Sequence, residues 1–255
     1  MKTGLFHHML GDILHCMAFY TRLPLPRLPE MQRSFAAMQW AAPLTGVIPG
    51  AIVAGILITC LSLDLPVEAA AALALGAGIL STGALHEDGL ADVADGFGGG
   101  QSRERKLEIM KDSRIGAYGV LALLMSGLLR WSALTALALL GAVPAAIAII
   151  GAHVASRALM PSFMMLVPPA RSNGLSAGIG QVNSTPALIA LLIGTLALLP
   201  QGVWFTAVAA LWLAGWFMFM RRLSMRHIGG QTGDVLGTLQ QGSEILLLLA
   251  ACALL

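Results

Sequence analysis

The groups best suited to chemistry in this 255-residue chain are its carboxylates, which are few and are not scattered. Asp88, Asp92 and Asp95 fall within HEDGLADVADGFGGG at 86–100, Asp112 within RERKLEIMKDSRIG at 103–116, and Asp234 within RHIGGQTGDVLG at 226–237. On a helix turning about 100° per residue, Asp92 lies about 40° from Asp88 and Asp95 about 20° to the other side, with Glu87 about 100° away. The three aspartates therefore share one narrow face. Each close pair of like charges costs on the order of 4 kcal/mol at about 4 Å and an effective dielectric near 20. Either one carboxyl has a raised pKa or a divalent cation is bound, and hard oxygens without cysteine suit Mg²⁺, Ca²⁺ or Mn²⁺. The plainer alternative is a solvated acidic helix end neutralised by Arg103, Arg105 and Lys106. Stacking on one face in a chain so poor in acids favours the metal.

Around these acids lie groups suited to phosphate. Gly96, Gly98, Gly99 and Gly100 read as a bend that permits close backbone approach to a ligand, although the same residues would also end a helix. Residues 103–116 read as a short amphipathic helix burying Leu107 and Met110 and returning Lys111, Asp112 and Arg114 to the membrane surface, with the two cations as phosphate clamps. In the third motif Gly229, Gly230, Gly233 and Gly237 bracket Gln231, Thr232 and Asp234, a backbone-rich setting for an anion or metal. Arg130 and Arg157 sit near or inside apolar segments, where an ionisable group is expensive. Arg157 with His153 either lines a cavity or snorkels to the interface.

The elements that must carry these residues follow from composition. Hydrophobic residues make up 57% of the chain, charged ones only 11%, and mean hydropathy is +0.79, against about 25% charged in an average soluble domain. The expectation is an all-α polytopic bundle in a single domain of six to seven spans. These are 40–63, 67–85 running straight into the acidic stretch, 119–140, about 144–160, 185–199, 203–220, and a seventh only if helix extends from about Asp234 to Leu255. Residues 1–38 read as an interfacial or re-entrant segment whose helix ends at the TRLPLP break at 21–26, and 86–118 and 221–240 as the active-site loops. Lys and Arg fall in the loops at one end, while the opposite turns have none, so the long loops face the cytoplasm. Cys16, Cys60 and Cys252 lie far apart without ligand spacing. Nucleic-acid binding, secretion and a β-rich enzyme are excluded, and a net charge of +2 argues for no polyanion partner.

FYTRLPLP at 19–26, HEDGLADVADG at 86–96, IMKDSRIGAYG at 109–119 and GGQTGDVLG at 229–237, in this order over nearly the whole chain, resemble the cobalamin synthase family of adenosylcobinamide-GDP ribazoletransferases. The resemblance implies a multi-pass enzyme of the bacterial inner membrane that joins α-ribazole or its 5′-phosphate to adenosylcobinamide-GDP, releasing GMP with Mg²⁺. On it, Asp88, Asp92, Asp95 and Asp112 become metal ligands and catalytic groups, with Asp112 a further ligand or the base. His86, Lys111, Arg114, Gly230, Gln231, Thr232 and Asp234 become substrate or phosphate contacts. Membrane lipid is a further partner, and a homo-oligomer is left open. DVADG at 92–96 also matches the start of the CDP-alcohol phosphotransferase signature, but Gly99 and Gly100 depart from it. That enzyme class and a divalent-cation transporter are the competing readings; the transporter is disfavoured because the acids cluster at span ends rather than midway.

Overall fold

The computed structural model describes residues 2–28, 30–31, 33–172 and 178–255; within the expected 1–38 segment, Met1, Pro29 and Gln32 lie outside the described residues. Among the described residues the chain is helical without strands. Helix α1 (Lys2–Tyr20) stops before the TRLPLP stretch, whose prolines lack amide hydrogens and restrain the residues before them. Asp12 ties α1 to the next span by accepting from the Trp40 indole and pairing with Arg33. That span combines α2 (Phe35–Met38), a 3-10 segment at Gln39–Gly46 containing Pro43, and α3 (Val47–Ser62).

Helix α4 (Val67–Thr82) is followed by α5 (Leu85–Gly99), then α6 (Arg103–Ile109), α7 (Ala117–Ala138), α8 (Ala142–Leu166), α9 (Ser184–Leu198), α10 (Val203–Ile228) and α11 (Gly233–Leu254). Six segments are long and apolar enough to cross a membrane, or seven if α4 and α5 are counted together as one bent span, and the span expected only if helix extends from Asp234 onward is among the six, as α11. Helices α8 and α11 form the buried centre. Small residues let their neighbours close in, the packing that works between lipid-embedded helices. A Cβ on Gly46 would collide with the His153 carbonyl of α8, and one on Gly50 would stand 3.0 Å from the Ile150 Cα.

The structure corrects the expected junction of the second span with the acidic stretch. Helix α4 ends at Thr82 because Gly83 and Ala84 both adopt left-handed backbone, at φ 64° and 56°. Two such residues in succession cannot continue a right-handed helix, and α5 departs at 88° to α4. We read α4 as the span and α5, with its four acids, as an arm outside the membrane-spanning helices at the basic end of the bundle.

Arg130 and Arg157 do not snorkel. They are 4% and 1% exposed and enter a buried network in which Arg130 donates to Glu87 at 2.9 Å and Glu244 at 3.5 Å. Gln240 and Gln241 donate to Glu244 and Glu87, while Arg157 donates to the His153 carbonyl. Two cations thus face two carboxylates, the pairing that buried charge requires.

Candidate active site

The site is built where α5 crosses the start of α11. A Cβ on Gly89 would lie 2.9 Å from the Asp234 Cα, and one on Gly237 would lie 3.2 Å from the His86 carbonyl oxygen. The absence of side chains at these two positions is what allows the backbones to touch. The Thr238 hydroxyl, donating to the Gly89 carbonyl at 3.2 Å, fastens the crossing. Asp88 and Asp234, 146 positions apart in the chain, thereby line one cavity together with His86 and Gly233.

The turn before α11 is held by the segment after α8. Ala170 N donates to the Gln231 carbonyl and Gln231 N to the Pro168 carbonyl, both at 2.8 Å, which leaves no room for a side chain at Gly230. Gly229 ends α10 at φ 71°, and Thr232 caps α11 by accepting from Val235 N. This clamp delivers Arg171 to Asp234, Nη2 to Oδ2 at 3.5 Å, and the Thr232 hydroxyl donates to the same carboxylate. The other terminal nitrogen of Arg171, Nη1, is buried without a hydrogen-bond partner. Arg103 secures the clamp by donating to the Ile228 and Ala170 carbonyls.

The expected aspartates divide. Asp88, Asp92 and Asp234 lie close enough for their charges to interact: half-burial, then the carboxylates of Asp234, Asp88 and Asp95, push Asp92 up to about 7, with Arg171 opposing. Asp95 is committed elsewhere. Its two oxygens accept from Gly116 N at 2.7 Å and Gly119 N at 2.8 Å, so it caps the positive end of α7. Asp112 pairs with Arg114 in the exposed loop at 2.7 Å and is lowered to about 2 by that guanidinium. Arg114 is thereby occupied, and Lys111 is exposed on the same loop.

The glycine run after the acids is not a ligand-cradling bend. Gly96, Gly98 and Gly99 continue α5, and Gly96 and Gly98 admit the Met110 and Tyr118 side chains against the helix.

Among the described residues, no three His, Cys, Asp or Glu side chains converge as a ready-made ligand set. Mg²⁺ does not need one, since it keeps several waters and binds through one or two carboxylates plus substrate phosphate. Asp88, Asp92 and Asp234 fit that chemistry, with hard oxygens and an excess of negative charge that has already displaced Asp92. Asp95 and Asp112 fit it less well, because backbone amides and Arg114 hold their oxygens.

The model of the family described as Cobalamin-5-phosphate synthase matches residues 12–252. The chain belongs to this family. Proteins named adenosylcobinamide-GDP ribazoletransferase are similar over nearly the full length. That of Mesorhizobium japonicum is 50% identical, covering 95% of this chain and 93% of the relative. That of Bradyrhizobium diazoefficiens is 47% identical, covering 98% and 96%, and that of Azorhizobium caulinodans 44%, covering 94% and 95%. No solved structure matches. As a member of the cobalamin-5-phosphate synthase family the chain is a transferase of cobalamin biosynthesis with several transmembrane helices.

Sequence reasoning about this family member misses two functional candidates. Arg171 counts there only as one positive charge, although it is the only Lys or Arg between Arg157 and Arg221, a signal that the segment is not simple anchoring. Glu87 points away from the aspartate face and receives no role from the motif; it is the partner of Arg130 and anchors the start of α5.

Proposed function

We propose that the protein transfers the adenosylcobinamide-phosphate group of adenosylcobinamide-GDP to a ribose hydroxyl of α-ribazole or its 5′-phosphate, with GMP leaving. The hydroxyl oxygen attacks the phosphorus attached to cobinamide and a new P–O bond forms. The pyrophosphate P–O bond breaks, and GMP departs with that electron pair. Asp92, pushed up to about 7 by half-burial and then by the neighbouring carboxylates, is suited to receive the hydroxyl proton, because a general base works best with a pKa near the operating pH. Arg171, with one free nitrogen beside Asp234, would hold a phosphate oxygen bidentately with its remaining donors. Mg²⁺ held by Asp88 and Asp234 would neutralise phosphoryl oxygens and the leaving group.

The observation that carries this reading is the meeting of the acidic helix and the GGQTGD turn at one cavity, in a chain whose full-length relatives are named for this transfer. We infer from the basic loops at that end that the site faces the cytoplasm across a bacterial inner membrane. The deciding experiment incubates the purified protein in nanodiscs with both substrates, with Mg²⁺ or EDTA, and measures GMP. Mg²⁺-dependent release supports the reading; no GMP under any condition overturns it.

A further inference from the structure

Away from the carboxylates, the hairpin of α9 and α10 is parted along its length. The two helices are joined through the short 3-10 turn Leu199–Gln201 and Gly202. Helix α9 lies tightly on α8, where a Cβ on Gly194 would overlap the Ala158 side chain, whereas α10 leans mainly on α11. The gap left between them is a groove of about 390 Å³, floored by α8 and walled by α9 and α10, within the size range of a small-molecule site.

The groove is lined by hydrocarbon. Among the described residues no charged side chain lines it. The Thr195 and Thr206 hydroxyls donate to the Leu191 and Gly202 carbonyls of their own helices, each at 2.9 Å, and the Ser162 hydroxyl is buried. A polar ligand would lose its water there without gaining a hydrogen bond. Between Thr206 and Met218 the groove follows α10 for about 18 Å at about 1.5 Å per residue, close to the depth of one leaflet of a roughly 30 Å hydrocarbon core.

The end nearer the basic loops differs. The groove face of α10, formed by Thr206, Ala210, Leu213 and Phe217, continues at the helical period to Arg221, and Met218 leads in the same way to Arg222. Both arginines are exposed, and neither pairs with a carboxylate among the described residues. An acyl chain alone would gain little by leaving the bilayer for this groove, since lipid tails are as apolar as its walls. Two unpaired guanidiniums at its rim supply the preference that the walls lack, because they hold a phosphate by charge-assisted hydrogen bonds.

We propose that the groove between α8, α9 and α10 holds one anionic phospholipid from the leaflet at the basic end, with an acyl chain along α10 and the phosphate at Arg221 and Arg222. A second copy of the chain fits the charges less well. In a two-fold pair the same face meets itself, and since α9 and α10 carry no acid, the arginines of both copies would find no counter-charge on these helices.

The test is native mass spectrometry of the full chain in mild detergent, titrated with phosphatidylglycerol or phosphatidylcholine of the same acyl chains. Wild type should bind one phosphatidylglycerol about thirtyfold more tightly than phosphatidylcholine, at about fivefold for each arginine. The Arg221→Gln, Arg222→Gln double variant should lose that preference and keep its affinity for phosphatidylcholine within about twofold. Ala214→Trp, at an exposed position on the groove wall, should lose the one-to-one adduct with both lipids. Leu211→Trp, exposed outside the groove, should keep it. Gel filtration checks that each variant is folded. Equal affinity for the two lipids in wild type, a preference that survives in the double variant, or phosphatidylglycerol binding unchanged in folded Ala214→Trp overturns the proposal. A lipid-free dimer that Ala214→Trp converts to monomer also overturns it, and assigns the groove to a second copy.

Discussion

Arg130→Met isolates the buried network that anchors the acidic helix. In the native protein the guanidinium is 4% exposed and stands 2.9 Å from Glu87 and 3.5 Å from Glu244. At an effective dielectric near 20 each of these attractions is about 5 kcal/mol before desolvation. Methionine fills similar volume but leaves two buried carboxylates facing Arg157 alone, 4.0 Å from Glu244. Removing one partner of a buried pair typically costs about 3–5 kcal/mol, which for a chain of this size lowers Tm by on the order of 10 °C. The assay is thermal unfolding in nanodiscs, followed by fluorescence and by GMP release at a permissive temperature. Glu87→Gln added to Arg130→Met should recover part of the loss, because it removes the carboxylate left without a cation. Because Glu87 precedes Asp88 on α5, the single variant should also lose turnover where it remains folded. A Tm within about 1–2 °C of wild type, or a double variant worse than the sum of its parts, would refute the idea that Arg130 holds two carboxylates in place.

Four other outcomes are expected from the same geometry. The Asp92 carboxyl is raised from 3.8 to about 7, so the folded state binds the extra proton and stability falls as pH climbs from about 4 to 7; Mg²⁺ should therefore raise Tm more at pH 8 than at pH 5.5, and equal shifts would count against a cation beside Asp92 in this carboxylate cluster. Gly89→Ala places a methyl 2.9 Å from the Asp234 backbone and should cut turnover at least tenfold while the protein still inserts, as judged by membrane fractionation and gel filtration. Arg171→Ala should lower kcat/KM by about tenfold to a hundredfold for the loss of a charged hydrogen bond, whereas Arg114→Ala, whose guanidinium already serves Asp112, should stay within about threefold; the reverse ranking in steady-state assays would move the phosphate clamp to the 111–114 loop. Asp95→Ala should destabilise by about 1–2 kcal/mol through loss of the α7 cap, and a variant of normal stability without turnover would return Asp95 to the metal.

Much of this protein is legible in its sequence because two signals are local. A stretch without charge that is long enough for the hydrocarbon core must be helical, since no water is there to satisfy its backbone. Hence the span at Ala117–Ala138 matches expectation closely, and the one starting at Val203 begins where expected but runs on through 221–228 to Ile228, residues expected to be loop. The turn of a helix likewise puts Asp88 and Asp92 on one face wherever α5 lies. The sequence does not reveal that Gly83 and Ala84 both turn left-handed, because alanine rarely does so, and the junction lies against a distant residue, Arg22, whose side chain packs on Gly83. Nor does the spacing of Asp95 distinguish a metal ligand from a helix cap, since the deciding partners, the amides of Gly116 and Gly119, belong to a different element.

Residue type and order alone determined that this chain is a helical membrane protein with its acids gathered at the basic end, because hydropathy and helical period need no tertiary contact. Which acids meet was decided only by the fold. Backbone contact at Gly89 and Gly237 brought Asp234 to Asp88, and the 168–171 clamp brought Arg171 to Asp234, through close approaches between segments far apart in the chain that no periodicity encodes.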